Sequence, residues 1–295
     1  MRQVRRRACL CVPASSARML AKAATIAADE IVLDLEDAVA VAAKDEARDA
    51  AVTALRGSRW SCGSVAVRVN APGTPWCHLD LAALAALPDR PGSIVVPKVE
   101  GAADLHFVDR LLDGAEAPAR LRPIRIQALI ETPAGLARVA EIAASSPRLD
   151  ALIIGYADLG AALGRADTAR DDGPDTWAST RDAVLLAARV NGLQAIDGPY
   201  LGTKPDERFR ASAGEASRLG FDGKWAIHPS QVASLVESFT PAPEEIERAR
   251  AVVDALDQAE RAGAGAVALD GEMLDEAVRV RALRLLSRAG VEVRA

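Results

Sequence analysis

The sequence predicts an α/β fold, a (β/α)8 TIM barrel with a C-terminal helical extension, and three observations predict it. Short aliphatic or β-branched runs without polar alternation recur eight times, Ala- and Leu-rich segments of helical spacing lie between them, and no linker interrupts the first 240 residues. Uninterrupted apolar runs are what strands covered on both faces require. The rhythm of about thirty residues is the size of one βαβ unit.

The elements follow in order. "ACLCV" (8–12) opens the series and is followed by the helical stretch "ARMLAKAATIAA"; "IVLDL" (31–35) is followed by "KDEARDAAVTAL". "SVAVRV" (64–69) and "SIVVP" (93–97) come next, with "DLHFVDRLL" after the latter. "IRIQALI" (124–130) runs into "ETPAGL", where a Thr-Pro helix start precedes "AGLARVAEIAA". "ALIIG" (151–155), the helix "TRDAVLLAARV", "QAID" (194–197) and "KWAI" (224–227) complete eight units. Half the residues are hydrophobic but only 3% are aromatic, so Ala, Val, Leu and Ile must build the core, which suits helices packed on parallel strands. Residues 1–240 are therefore read as the barrel and 241–295 as the extension, with a long polar helix "EEIERARAVVDALDQAERAG", a Gly-Ala turn and a last helix from about 273 to 288. Such a tail caps the barrel or reaches a neighbouring subunit. "GRADTARDDGPDT" (164–176), rich in polar breakers, is a candidate mobile lid.

Composition removes several classes of function. A net charge of -5 and a pI near 5.4 argue against a general nucleic-acid binder. Cys9, Cys11, Cys62 and Cys77 form no CxxC pair and have no His cluster, so neither zinc nor redox chemistry is indicated and a reduced, cytoplasmic protein is expected. The basic start "MRQVRRRACLCV" carries too short an apolar stretch for a signal peptide and reads as a solvated tail; no 18-residue apolar run is present, and no membrane partner is expected. GxSxG, SxxK, GxGxxG and P-loop motifs are absent, and of three histidines His106 falls mid-helix and His78 at a helix start.

In a TIM barrel the chemistry sits at the carboxyl ends of the strands. Those ends carry Asp34, Glu36 and Asp37, then Arg68 and Asn70, Lys98 and Glu100, Glu131, Asp158, Asp197 and His228. Taken singly each has a plain structural explanation: Asp158 could cap a helix, Lys98 could pair with Glu100, and His228 before Pro229 could be a hydrogen-bonded turn residue. Together they place an ionisable group on one rim from every strand after the first. A carboxylate such as Glu131, at the junction of an apolar strand and a helix, is costly to bury without a compensating partner. Carboxylates from different strands, with no His or Cys cluster, favour a hard, oxygen-seeking divalent ion, Mg2+ before zinc. A nearby Arg suits a developing enolate or other oxyanion.

The motifs "VPASSARMLAKA", "ADEIVLDLEDAV", "VRVN", "TPW", "VPKVE", "IETPAGL", "GYADLGAALG", "AIDGPY", "GFDGKWAIHPSQ" and "DGEMLD", in this order from about residue 8 to 280, resemble the citrate lyase beta-subunit-like family of CoA-ester lyases. "AIDGPY" and "GKWAIHPSQ" are most similar to its malyl-CoA and β-methylmalyl-CoA lyase branch. The resemblance implies a TIM barrel assembled as a homotrimer or hexamer that takes Mg2+, with Mn2+ as a substitute, and a CoA thioester cleaved to an acyl-CoA and a 2-oxoacid. It implies Glu131 and Asp158 as metal ligands, Glu36 and Asp37 as holders of metal-bound waters, and Arg68 on the thioester oxygen. It further implies Asp275 as an acid/base residue from the adjacent subunit, and Lys22, Arg18 and the basic N-terminus near the CoA phosphates. Ala14, Cys77 and Val41 stand where the family usually has Gly, Gly and Pro. Citramalyl-CoA or citryl-thioester cleavage, a malyl-CoA thioesterase, a malate synthase-like condensation, a 2-oxoacid aldolase without CoA and a non-catalytic CoA-binding barrel stay open.

Overall fold

The computed structural model describes residues 4–117, 122–165 and 176–291. Eight parallel strands close into a barrel in chain order, β1 through β8. They are β1 (Ala8–Pro13), β2 (Glu30–Asp34), β3 (Ser64–Arg68), β4 (Ser93–Val96), β5 (Arg125–Ile130), β6 (Leu149–Ile154), β7 (Gln194–Asp197) and β8 (Gly223–Ala226). All eight coincide with the expected runs. Closure comes from β1 pairing with both β2, Cys9 opposite Glu30, and β8, Cys9 opposite Trp225. Because both faces are covered, β2, β4, β7 and β8 are buried along their whole length. Cys9, Val32, Ala66, Val95, Leu129, Ala151, Ile153, Ile196 and Trp225 pack together in one apolar cluster.

Below that layer the barrel floor is polar. Glu30, with no solvent exposure, accepts from Arg6 Nε at 3.1 Å, Ser64 Oγ at 2.7 Å and Gln127 Nε2 at 2.8 Å. Nothing in the apolar-run pattern of "IVLDL" signals that the residue just before it turns inward as a charge.

The helices around the barrel are α1 (Ala17–Ala24), α2 (Lys44–Gly57), α3 (Cys77–Ala85), α4 (Ala102–Glu116), α5 (Pro133–Ala137), α6 (Val139–Ala143), α7 (Tyr156–Ala162), α8 (Ala178–Val190), α9 (Glu207–Leu219) and α10 (Val232–Ser238). Ser16 and Asp206 cap α1 and α9 through their side chains. The stretch expected as one helix after β5 is two, broken at Arg138, which has non-helical angles (φ −112°, ψ 18°) and serves both as C-cap and N-cap. The expected lid falls mostly on 166–175, outside the described residues.

Two compact units divide the chain, residues 1–236 and 237–295. The second consists of the end of α10, α11 (Pro243–Arg261), a hairpin of β9 (Val267–Leu269) and β10 (Glu272–Leu274), and α12 (Glu276–Ala289). The hairpin replaces the simple turn expected there and delays the last helix to residue 276: Asp270 and Gly271 both take positive φ, 51° and 81°, which folds the strands back on each other. The unit has its own core of Val252, Val253, Leu256, Leu274, Ala282 and Leu286. Among the described residues no helix is long and apolar enough to cross a membrane.

Candidate functional site

The carboxyl ends of β2, β3, β5 and β6 surround a cavity of about 280 Å³ lined by Asp34, Asp37, Arg68, Glu131, Asp158, Tyr156 and Trp225, among others. Glu131 follows the last residue of β5, and Thr132 then caps α5 by accepting from Gly135 N at 3.0 Å, with Pro133 at the first helical position. The junction thereby fixes the Glu131 backbone just where the strand delivers its side chain to the barrel mouth. The carboxylate is 4% exposed and accepts the Lys98 N–H at 2.9 Å. Burial, reinforced by Glu36 and Asp158 and opposed by Lys98, pushes its pKa up to about 8. Asp158 lies in the first turn of α7, where the helix dipole favours negative charge.

Asp34 organises the opposite side. Its two oxygens receive Arg68 Nε at 2.7 Å and Nη2 at 2.6 Å, and also the backbone N–H groups of Glu36 and Ala38. Arg68 Nη1 faces Glu36 Oε2 at 3.0 Å, and the guanidinium lies 5.6 Å from the Trp225 ring centroid. Nη1 and Nη2 each keep a hydrogen for a ligand. Lys44, 6% exposed, donates to the Leu35 and Glu36 carbonyls and so pins the loop that carries Glu36 and Asp37.

Lys98 pairs with Glu36 and lies 3.2 Å from Asp37 and 3.0 Å from Asp158, so the pairing with Glu100 considered from sequence is not the one formed. Burial raises the Glu36 pKa; for Asp37 burial pushes upward as well, but the Lys98 ammonium, with the Glu36 hydrogen bond and Arg68, outweighs it and the net shift is downward. Asn70 turns to Asp80, and exposed His228 caps a short 3-10 helix, as its plain structural explanation held. Asp197, fully buried, is held by Lys224 and by the Tyr156 hydroxyl.

Glu36, Asp37, Arg68, Glu131 and Asp158 thus meet at one mouth. Arg18 and Lys22 line an adjoining cavity of about 400 Å³ that shares Cys11, Pro13 and Ile227 with the first. Asp275 belongs to the second unit, exposed, where its carboxylate caps α12 by accepting Val278 N at 3.2 Å. Ala14 and Cys77 are buried outside the lining of either cavity, and Val41 is 70% exposed. A wider cleft of about 1090 Å³ opens among strand starts such as Ser64, Arg125 and Leu149, and none of the mouth carboxylates lines it.

The donor set fits a hard divalent cation. Its oxygens are carboxylate oxygens, and two buried ones, Glu36 Oε2 and Asp158 Oδ2, are met only by the cationic groups of Arg68 and Lys98, each at 3.0 Å. Among the described residues no three such groups already converge at ligand spacing. Lys44, Tyr156 and Lys224 were missed as functional supports; a charge inside the apolar run "GKWAI" was the available signal for Lys224. Gly155 is a further requirement, since a Cβ there would stand 2.5 Å from Glu131 Cβ and 2.6 Å from its Oε2. Gly155→Ala is accordingly expected to displace the Glu131 carboxylate and weaken divalent-cation binding by about tenfold or more, measured by calorimetry; unchanged affinity would contradict this placement.

Residues 7–229 match the family described as HpcH/HpaI aldolase/citrate lyase. The chain is 39% identical over 279 residues to an L-malyl-CoA/beta-methylmalyl-CoA lyase of Cereibacter sphaeroides, covering 89% of this chain and 88% of the relative. It is 38% identical over 286 residues to a (3S)-malyl-CoA thioesterase of the same species, covering 96% and 94%. A crystal structure of CitE from Mycobacterium tuberculosis in complex with magnesium, acetoacetate and coenzyme A superposes with a TM-score of 0.76 at 34% identity, covering 96% of this chain and 97% of that one.

Proposed function

Because this chain belongs to the HpcH/HpaI aldolase/citrate lyase family, we propose that it is a Mg2+-dependent carbon-carbon lyase acting on a 3-hydroxyacyl-CoA thioester. The substrates that fit this assignment are malyl-CoA, β-methylmalyl-CoA and citramalyl-CoA, cleaved to an acyl-CoA and a 2-oxoacid. The observation that carries it is the meeting of Glu131, Asp158 and Arg68 around one cavity at the carboxyl end of the barrel.

Glu131 and Asp158 would hold the cation, with Glu36 and Asp37 orienting its waters. Bound there, Mg2+ supplies Lewis-acid polarisation of the hydroxyl that becomes the oxoacid carbonyl. The substrate hydroxyl passes its proton to the Asp275 carboxylate of a neighbouring copy, the C2–C3 bond breaks with its electron pair moving to C2, and the 2-oxoacid departs. Arg68, fixed by Asp34, directs its remaining Nη hydrogens at the thioester oxygen, where the enolate charge develops. Asp275, supplied by a neighbouring copy in a homo-oligomer, is assigned the proton transfer that quenches C2. Arg18 and Lys22, in the adjoining cavity, are assigned the CoA phosphates. Asp275→Asn is expected to lower turnover by about 10²- to 10⁴-fold with Mg2+ affinity kept, because Asn also serves as an N-cap and leaves α12 intact. Steady-state rates beside calorimetry check it.

The proposal is tested by offering a panel of CoA thioesters with and without Mg2+ and following 2-oxoacid and free thiol. Oxoacid without thiol supports the lyase. Thiol release as well supports the second reading, a thioesterase, which the similarity to the (3S)-malyl-CoA thioesterase favours.

A pH dependence follows from Glu131. Its carboxyl titrates near 8 in the folded, metal-free chain, above its ordinary value, so the native state holds an extra proton between the two. Stability contributed by that proton is full below the ordinary carboxylate range and is lost as pH rises toward about 8. A cation that needs the ionised carboxylate gains where that proton leaves. Mg2+ affinity is expected to rise with pH across this window, by at most about tenfold per unit, with proton release seen by calorimetry in buffers of different ionisation enthalpy. A flat profile would contradict it.

A further inference from the structure

Lys98 engages the acidic mouth at both its ends. Its backbone N–H donates to Glu131 at 2.9 Å, while its ammonium pairs with Glu36 and stands 3.2 Å from Asp37 and 3.0 Å from Asp158. The backbone reaches this pose at φ 53°, in the left-handed region that side-chain-bearing residues seldom adopt. Such strain persists only where surrounding contacts over-determine it, and it clusters at functional sites. Both carboxylates assigned to the cation therefore touch this one residue.

We infer that Lys98 is a resident cation: its ammonium holds the mouth carboxylates together in the metal-free chain and withdraws from Asp158 when a divalent ion enters. The inference rests on the Mg2+ lyase assignment above and adds to it how the site is kept assembled and gated. Glu36, Asp37 and Asp158 would repel one another without a positive charge among them, and Arg68, held by Asp34, pairs with Glu36 alone of the three. An ammonium and Mg2+ on the same carboxylate would repel in turn, so the incoming ion must displace it. The lysine side chain is 35% exposed on a flexible stem, which leaves it a route toward solvent. Loading the site is then an exchange of one positive charge for two. That exchange favours a small doubly charged ion over Na+ or K+, which bring no more charge than the lysine they would replace.

The test uses the full chain at fixed pH and ionic strength. Mg2+ is titrated by calorimetry into the wild type, Lys98→Met and Lys204→Met, the last removing the same charge from an exposed loop residue. Lys98→Met is expected to bind Mg2+ about tenfold tighter or more, while Lys204→Met matches the wild type. Lys98→Gly, which accepts the left-handed backbone, repeats the measurement without the stem. In the wild type, acylation of Lys98 by an amine-reactive reagent, read by peptide mass spectrometry, is expected to quicken several-fold when Mg2+ is added. Unchanged or weaker binding by both Lys98 variants, or a Lys98 acylation rate unmoved by Mg2+, overturns the resident-cation role alone. Absence of Mg2+ binding in the wild type brings down the metal assignment as well.

Discussion

Glu131→Gln is expected to lower turnover by at least about 10²- to 10³-fold while leaving the metal-free protein as stable as the wild type or more so. The two effects part because the same burial produces both. At 4% exposure the ionised carboxylate is poorly solvated, and its pKa near 8 records the penalty. Gln keeps the size and the carbonyl oxygen that accepts the Lys98 N–H, and removes the charge the interior resists. It also removes the anionic oxygen that a hard cation requires. Thermal unfolding without Mg2+, beside turnover and Mg2+ calorimetry, separates the outcomes: a marked fall in stability would make Glu131 a structural residue, and retained turnover would remove it from the metal site. Arg68 behaves differently. Its side chain pairs with fully buried Asp34, so Arg68→Ala also forfeits stability and is the poorer probe of chemistry.

The second large effect is structural. Lys224→Met is expected to reduce folding stability by about 3–5 kcal/mol, read as a shift in the urea midpoint. Lys224 and Asp197 are 1% and 0% exposed and pair with each other across β7 and β8, and Asp197 accepts the Tyr156 hydroxyl as well. Removing the lysine leaves a carboxylate buried with its charge unanswered. Adding Asp197→Leu to the variant should recover much of the loss, since replacing both partners by apolar groups is far milder than breaking the pair. A Lys224→Met protein as stable as wild type would contradict the weight given to this pair. Tyr156 lines the mouth cavity, so turnover is expected to fall with stability.

The eight strands were legible because burial on both faces demands unbroken apolar runs, and such runs stand out in a chain poor in aromatics. Glu36, Asp37, Arg68, Glu131 and Asp158 were legible for a related reason: each follows or ends such a run, and the fold brings run ends together. Lys44 was not, because it opens an ordinary charged helix and only the return of α2 brings it to the Leu35 and Glu36 carbonyls. Lys98 was noticed but paired with Glu100, its neighbour in sequence; positive φ turns it instead toward carboxylates contributed by β2 and α7. The break at Arg138 and the hairpin at Asp270–Gly271 were hidden because both rest on backbone angles that composition hardly registers.

The polar floor around Glu30 has a consequence for how this enzyme can change. Arg6, Ser64 and Gln127 satisfy that acid from three different strands or their approaches, and an apolar layer separates them from the opposite rim. Foundations and chemistry are thereby built from different residues. Substitutions at the rim can retune substrate choice without loosening the closure of the cylinder, whereas a change at residue 30 should be felt as lost solubility and yield long before any altered selectivity.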